Sequence, residues 1–212
     1  YYNTTTDKLY LSNGTAWLPL DTNVPPVPTG GTVTIPTQAG ASTFSYNLGL
    51  SFTDEDVDAN LTYTLESGTL PAGAVLPTSG NTALTGTATN IATTTYNFVI
   101  RATDAKAAFA TQAFTQVITN TLPTATGGTV TIAARAGLST FSYNLGLNFS
   151  DVQDTDAQLT YTLASGTLPA GAVLPTSGNT ALTGTATNIA TTTYNFVIRA
   201  TDAKAAFATQ AF

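Results

Sequence analysis

The chain has 212 residues, of which 42% are hydrophobic and 8% charged, a balance that supports one or two globular domains with packed cores and argues against intrinsic disorder. Its formal charge is −6, and its six basic residues are dispersed along the chain, so it offers no basic surface to the phosphate backbone of a nucleic acid. No apolar run approaches the roughly 18 to 20 residues that a membrane span requires, so we expect no membrane insertion.

The residue types predict an all-β fold. Threonine dominates the polar fraction, and threonine, tyrosine, phenylalanine, valine and isoleucine all favour strands. Methionine is absent, and lysine and glutamate, which favour helices, are scarce.

Residues 1–28 predict a small N-terminal β-hairpin followed by a linker. Apolar residues lie on both sides of Asn13-Gly14, a dipeptide typical of a two-residue hairpin turn. A two-stranded hairpin is too small to bury its own aromatic side chains. These side chains are therefore candidates for docking or oligomerisation, the alternative being that they pack on the domain that follows. They are Tyr1, Tyr2, Tyr10 and Trp17.

The rest of the chain is an internal duplication. Residues 30–35 return as residues 127–132, 97 positions later, and a one-residue insertion in the second copy then raises the shift to 98. Residues 67–114 and 165–212 are identical throughout. Shared strand periodicity alone does not produce such long identity. We therefore predict two modules, 29–123 and 124–212, each of the usual size of an immunoglobulin-like sandwich.

Each module divides into about seven short strands. The alternation of large apolar with small or polar residues predicts one continuous strand over 42–52, whose core face carries Phe44, Tyr46, Leu48, Leu50 and Phe52. The segment 68–81 is punctuated by glycine and proline and contributes at most a short strand. The other predicted strands of the first module are 32–36, 61–65, 83–89, 94–103 and 107–119, the last two forming a hairpin. In the strand 94–103, alternation predicts that Tyr96, Phe98, Ile100 and Ala102 face the core.

The second module stops at Phe212, before the counterparts of residues 115–120, which complete the last strand of the first module. An unpaired sheet edge invites association with another strand. We therefore expect either that the parent chain continues or that another subunit covers this edge.

The chain contains neither cysteine nor histidine, which excludes disulfides, Ser-His-Asp and Cys-His catalysis and the usual zinc ligands. Oxygen ligands remain, and these suit hard cations such as calcium. Acidic residues cluster in one loop of each module and recur at the turn of its last hairpin. The candidate calcium ligands are Asp54, Asp56, Asp58, Asp104, Asp151, Asp154, Asp156 and Asp202.

Two interpretations of these acidic residues stay open. Concentrated carboxylates repel one another, and a calcium ion relieves that repulsion, but a solvated acidic loop is equally simple. Asp104 either closes a cation site or caps the tight turn in which it lies. A glycosidase pair would need an aromatic-lined cleft, whereas the aromatic residues here lie in strand phase. We therefore predict no catalytic residue.

Three segments of the first module, 70–76, 84–88 and 96–104, resemble the "putative Ig" and cadherin-like repeats of bacterial surface proteins and phage fibres, and the second module repeats them. The proline that usually follows Gly-Thr in these repeats is here Ala88 and Ala186. The resemblance implies tandem immunoglobulin-like sandwiches. It also implies calcium near the acidic loops, as in cadherin-like repeats, although the linker around Asn120 lacks the Asp-rich pattern of true cadherins.

The N-terminal segment, Tyr1 to Trp17, looks like a short element that is common in phage virion structural proteins. Together with the repeats it favours a non-catalytic structural protein of a phage fibre or another extracellular filament, located on a virion appendage or a cell surface. Its expected partners are further copies of itself, fibre neighbours, or a glycan or protein of a host surface. The alternatives are a bacterial cell-surface adhesin or carbohydrate-binding module, and the accessory stalk of an enzyme.

Overall fold

The computed structural model describes residues 1–3, 8–19, 23–55 and 60–212. These residues form strands joined by turns and short 3-10 helices, which confirms the predicted all-β fold. In this part of the chain, no helix is long and apolar enough to cross a membrane. Two compact units are present, the first made of Tyr1–Pro36, Thr43–Thr87 and Thr95–Val117, the second of Thr37–Ser42, Ala88–Thr94 and Ile118–Phe212.

The first unit begins with the predicted N-terminal hairpin, extended by one strand. Its three antiparallel strands, in sheet order, are Tyr2–Asn3 (β1), Lys8–Ser12 (β2) and Trp17–Pro19 (β3). The side chain of Asn13 closes the turn between β2 and β3, because its Oδ1 accepts hydrogen bonds from the backbone amides of Thr15 at 3.0 Å and Ala16 at 2.8 Å. Sequence analysis predicted β2, β3 and a turn at Asn13-Gly14, but it predicted neither β1 nor the four-residue connection between β2 and β3.

The sandwich of the first unit has two main sheets, and a few terminal residues of their strands are assigned to the second unit. One contains, in order, Thr32–Ala39 (β5), Phe109–Thr119 (β12), Thr94–Thr103 (β11) and Thr62–Gly68 (β8). The other contains Thr43–Asn47 (β6), Ala83–Thr87 (β10) and Ala74–Val75 (β9), and a two-stranded ladder joins Val27–Pro28 (β4) to Phe52–Thr53 (β7). Three of the four residues predicted to face the core from β11 are buried, namely Phe98, Ile100 and Ala102, and the fourth, Tyr96, is half-buried. The Phe98 ring stacks on Phe114 of β12, with 5.6 Å between ring centroids.

The second unit repeats this plan except for a counterpart of β5, since no strand forms in residues 126–139. One of its sheets contains Thr140–Asn144 (β14), Ala181–Thr185 (β18) and Ala172–Val173 (β17), and another contains Thr160–Gly166 (β16), Phe196–Thr201 (β19) and Phe207–Ala211 (β20). Thr124–Ala125 (β13) pairs with Phe149–Ser150 (β15). Phe196 stacks on Phe212 with 5.4 Å between ring centroids, so the second core contains the same aromatic pair as the first.

The predicted continuous strand over 42–52 is wrong in its second half. After β6, residues Leu48–Ser51 form a 3-10 helix, which Asn47 caps by accepting a hydrogen bond from the Gly49 amide at 3.0 Å. The helix rotates Leu50 to the surface, where it is 71% exposed, while Leu48 is fully buried. Local hydrogen bonding by the asparagine thus overrides strand periodicity. The second unit repeats the turn at Leu145–Asn148.

Two leucines of the second-unit turn distinguish this arrangement from a strand. Leu145 has no exposed surface, whereas Leu147 is 69% exposed. We expect Leu145→Ala to lower the free energy of unfolding of its unit by about 2–5 kcal/mol, because it opens a cavity in the core. Leu147→Ala should change it by no more than ~0.5 kcal/mol. Urea denaturation of both variants measures this, and equal losses would contradict the 3-10 turn.

Candidate metal centre

The acidic loop of the second unit folds around the side chain of Asp151. Its Oδ1 accepts hydrogen bonds from the backbone amides of Gln153 at 2.7 Å and Asp154 at 3.1 Å. Aspartate favours such local bonds to amides that follow it closely in sequence. The bonds turn the chain so that Asp154 is buried, with only 5% of its surface exposed.

Asp202, another of the predicted calcium ligands, lies in the tight turn between β19 and β20. Its Oδ1 accepts hydrogen bonds from the backbone amides of Lys204 at 2.7 Å and Ala206 at 2.9 Å. These bonds hold Ala205 in the left-handed conformation, with φ of 68°, which costs a non-glycine residue about 1–2 kcal/mol. The turn therefore fixes the position of this buried carboxylate.

The fold brings these three carboxylates together. Asp151, Asp154 and Asp202 each offer one oxygen, and the three oxygens lie within 4.8 Å of one another. Like charges at this separation in a buried site repel strongly, because little water screens them. This cluster, which we call the second-unit acidic centre, carries a concentrated negative charge in a chain that is otherwise almost uncharged.

Two asparagines from other segments complete the surroundings of the second-unit acidic centre. Asn120 donates from Nδ2 to Asp202 Oδ2 at 2.7 Å. Asn90 donates from Nδ2 to Asp154 Oδ1 at 3.2 Å and to the backbone oxygen of Gln153 at 3.2 Å. Sequence analysis noted Asn120 only as a linker residue and missed Asn90. The recurrence of Asn23 as Asn120, one repeat apart, was the available signal for the former.

Four buried oxygens at this centre have no hydrogen-bond partner, and they come from two aspartates and two asparagines: Asp151 Oδ2, Asp154 Oδ2, Asn90 Oδ1 and Asn120 Oδ1. Buried polar atoms nearly always have a partner, because desolvation without one costs free energy. Carboxylate and amide oxygens are also the ligands that calcium prefers. The donor set therefore fits a calcium ion, which these residues together with Asp202 would hold.

The structure does not bring the predicted ligand Asp156 into this cluster. Its side chain is exposed, and Tyr161 donates from its hydroxyl to the Asp156 backbone oxygen at 2.9 Å. Burial, and secondarily the negative charge of Asp156, raise the pKa of Tyr161 to about 12. Tyr161 thus remains an uncharged core residue that anchors the end of the acidic loop.

The first unit repeats one side of this centre. Asn23 donates from Nδ2 to Asp104 Oδ2 at 2.7 Å, and Asp104 Oδ1 accepts from the backbone amides of Lys106 at 2.8 Å and Ala108 at 2.9 Å. Asp104 thus caps its turn as Asp202 does. The half-buried Asp54 begins the acidic loop of this unit. The predicted ligands Asp56 and Asp58 lie outside the described residues.

Opposing effects act on the ionisation of Asp104. Burial raises the pKa of this carboxyl, but the hydrogen bonds from Asn23 and from the amides of Lys106 and Ala108 outweigh burial, and the pKa is lowered below its usual value. A lowered pKa in the folded state contributes stability that is present at neutral pH and is lost as the pH falls through that lowered value.

We therefore expect the wild-type chain to lose stability below about pH 4 more steeply than the Asp104→Asn variant. Asparagine retains a side-chain oxygen for the two turn amides but has no proton to gain. Urea denaturation between pH 3 and pH 7 measures the difference between the two proteins. If the difference in free energy of unfolding between the two proteins does not change with pH, the lowered pKa assigned to Asp104 is contradicted.

The predicted docking residues of the N-terminal hairpin partly come together. The Tyr1 ring lies 6.1 Å from Tyr10 and 5.7 Å from Trp17, measured between centroids. Tyr1 and Trp17 remain 64% and 58% exposed. We call Tyr1, Tyr10 and Trp17 the N-terminal aromatic patch. Tyr2 lies in β1, and its side chain lies outside the described residues.

Comparison with known proteins agrees with this architecture. Residues 25–119 and 123–212 match the family model described as "Putative Ig domain". The chain belongs to this family. Membership confirms the tandem immunoglobulin-like repeats that the sequence predicted, and such domains are typical of extracellular and cell-surface proteins. Among curated proteins, no sequence relative matches the chain.

Several solved structures are similar at low identity. An endo-fucoidan hydrolase of glycoside hydrolase family 107 is 19% identical, with 88% of this chain and 28% of that chain covered and a TM-score of 0.41. The protocadherin gammaB4 extracellular domain is 14% identical, with 88% and 33% covered and a TM-score of 0.39. The human desmocollin-1 ectodomain is 12% identical, with 93% and 44% covered and a TM-score of 0.39. This chain therefore spans less than half the length of each of these three.

Proposed function

We propose that this chain is a structural segment of an extracellular fibre, most specifically of a virion appendage, and that it works by spacing and contact, without catalysis. The observation that carries this proposal is the faithful duplication of a whole sandwich core, with 67–114 repeated unchanged as 165–212. Duplicating a module lengthens a filament or multiplies a binding surface without creating new chemistry.

The proposal includes calcium at the second-unit acidic centre. Within the second unit, Asn90 belongs to the segment Ala88–Thr94, whereas Asn120, Asp151, Asp154 and Asp202 belong to the segment Ile118–Phe212. A cation bound to their oxygens would link these segments and relieve the repulsion among the carboxylates. Because an unfolded chain does not assemble these oxygens, calcium binding would stabilise the folded state.

Calcium should therefore raise the melting temperature relative to a chelator. At a free concentration about 100-fold above the dissociation constant, the gain in free energy of unfolding is ~2.7 kcal/mol for one site. Asp154→Asn should remove most of the gain at the second unit, because it neutralises a buried member of the centre. Asp156→Asn is the matched control, since it changes an exposed aspartate two residues away and should keep the gain. Differential scanning calorimetry with calcium and with chelator measures all three proteins, and equal midpoints in the wild type would refute the calcium proposal.

The N-terminal aromatic patch supports the assembly part of the proposal. Large exposed aromatic side chains that lie together mark surfaces for association. We expect the chain to self-associate in sedimentation velocity experiments and Trp17→Ala to shift it to monomer. Leu147→Ala removes an exposed leucine elsewhere and should leave assembly unchanged. A wild type that stays monomeric at every concentration would reject assembly through this patch.

The same patch favours the second candidate, a bacterial adhesin or carbohydrate-binding module, because exposed aromatic rings also provide amphipathic surfaces for a ligand. A glycan array separates the candidates: binding that Trp17→Ala abolishes would support the second. Immuno-electron microscopy gives an independent answer, since label on virion appendages supports a fibre and label on the bacterial envelope supports an adhesin.

A further inference from the structure

Gln153 is the most extensively bonded side chain of the second acidic loop. Its Oε1 accepts hydrogen bonds from the Thr121 backbone amide at 2.7 Å and from the Thr121 hydroxyl at 2.8 Å. Its Nε2 donates to the backbone oxygens of Thr119 at 3.0 Å and Gly40 at 3.3 Å. Every hydrogen-bonding position that a carboxamide commonly uses is therefore occupied.

The backbone of Gln153 is part of the second-unit acidic centre itself. Its amide donates to Asp151 Oδ1, and its backbone oxygen accepts from Asn90. The side chain therefore fastens the peptide unit that lies between the two loop carboxylates, Asp151 and Asp154. A change of the residue at this position can therefore affect the placement of both carboxylates.

The hydrogen bond from Gln153 Nε2 to the backbone oxygen of Gly40 also requires the Gln153 side chain to lie close to the backbone of Gly40. A Cβ atom at Gly40 would lie 2.9 Å from the Thr89 backbone oxygen and 3.2 Å from Gln153 Nε2. Any larger residue at position 40 would push against the amide group that holds the loop. The glycine thus permits the contact that Gln153 makes.

A glutamine at this place in the acidic loop is specific to the second copy. The first loop has Asp54-Glu55-Asp56 where the second has Asp151-Val152-Gln153-Asp154, one residue longer. A glutamate in place of Gln153 would face two backbone oxygens with a carboxylate and lose both donated bonds. The Asp54-Glu55-Asp56 stretch of the first loop therefore contains no carboxamide that could make these four hydrogen bonds.

We propose that Gln153 is a positioning residue for the cation at the second-unit acidic centre: it holds the 151–154 loop so that Asp151 and Asp154 present their free oxygens before the cation binds. This inference rests on the calcium proposal above. Residues that orient metal ligands typically contribute roughly 10- to 100-fold to metal affinity. Preorganisation is the physical reason, because a loop that is already ordered loses less entropy on binding.

The test is a titration of the full 212-residue chain with calcium chloride, in which NMR monitors the backbone amide signals. The amides of residue 153 and Asp154 report on this centre alone, because both donate to Asp151 Oδ1 and the first loop has a different sequence. We expect Gln153→Met, which keeps the length of the side chain but none of its hydrogen bonds, to raise the dissociation constant by roughly 10-fold or more. In chelator, the same two amides should exchange with solvent faster in the variant.

Gln158→Met is the matched control. Gln158 also accepts two hydrogen bonds through Oε1, from the Thr155 amide at 2.8 Å and the Thr155 hydroxyl at 2.9 Å, but it lies on the exposed side of the same loop. The Gln158→Met variant should therefore leave the calcium affinity unchanged.

Thr121→Val removes only one of the bonds to Gln153, so it should raise the dissociation constant less than Gln153→Met does. If Gln153→Met does not fold, Thr121→Val tests the positioning role in its place.

The outcomes separate the two proposals. If calcium does not move these amides in the wild type, the calcium site is refuted and the role of Gln153 with it. If calcium binds the wild type and Gln153→Met equally well, the positioning role is refuted and the calcium site stands. If Gln153→Met and Gln158→Met weaken calcium binding equally, the positioning role of Gln153 is also refuted, because any change to the loop would then have the same effect.

Discussion

A hydrogen bond between an asparagine and a buried aspartate recurs in both units, and the surrounding loops are arranged around it. Asn23 meets Asp104, and Asn120 meets Asp202, each at 2.7 Å. The aspartate already accepts two backbone amides of its hairpin turn through its other oxygen. The bond therefore ties the segment that leads into each sandwich to the turn of that sandwich's last hairpin, more than 80 residues away.

This arrangement has an electrostatic consequence in the second unit. Fixing Asp202 in a buried position next to Asp151 and Asp154 places three carboxylates within 4.8 Å. Neutral donors satisfy some of their oxygens, but they do not balance the charge. Three acidic residues of a weakly charged chain thus meet at a point that suits a hard cation, which connects the fold to the proposed stabilisation by calcium.

The two copies differ where packing allows it. Their cores contain the same stacked phenylalanine pair, Phe98 with Phe114 and Phe196 with Phe212, because closely packed interiors accept few changes of volume. The acidic loop connects two strands, and a connecting loop accepts an insertion more readily than a strand of the core does. The sequence of the acidic loop therefore varies between the copies while the stacked aromatic pair of the core remains the same.

The sequence by itself determined the duplication, the β-sandwich class and most of the buried face of β11, since exact repetition and strand alternation are local patterns. It also indicated which aspartates to consider. It misplaced Leu50, because capping by Asn47 competes with alternation and a pattern of apolar residues does not show which prevails. Only the tertiary structure decided that Asp154 belongs to the acidic centre while the equally acidic Asp156 faces solvent. It also brought Asn90 to Asp154 across 64 residues and Gln153 to Gly40 across 113, contacts that depend on how distant loops meet in the folded chain.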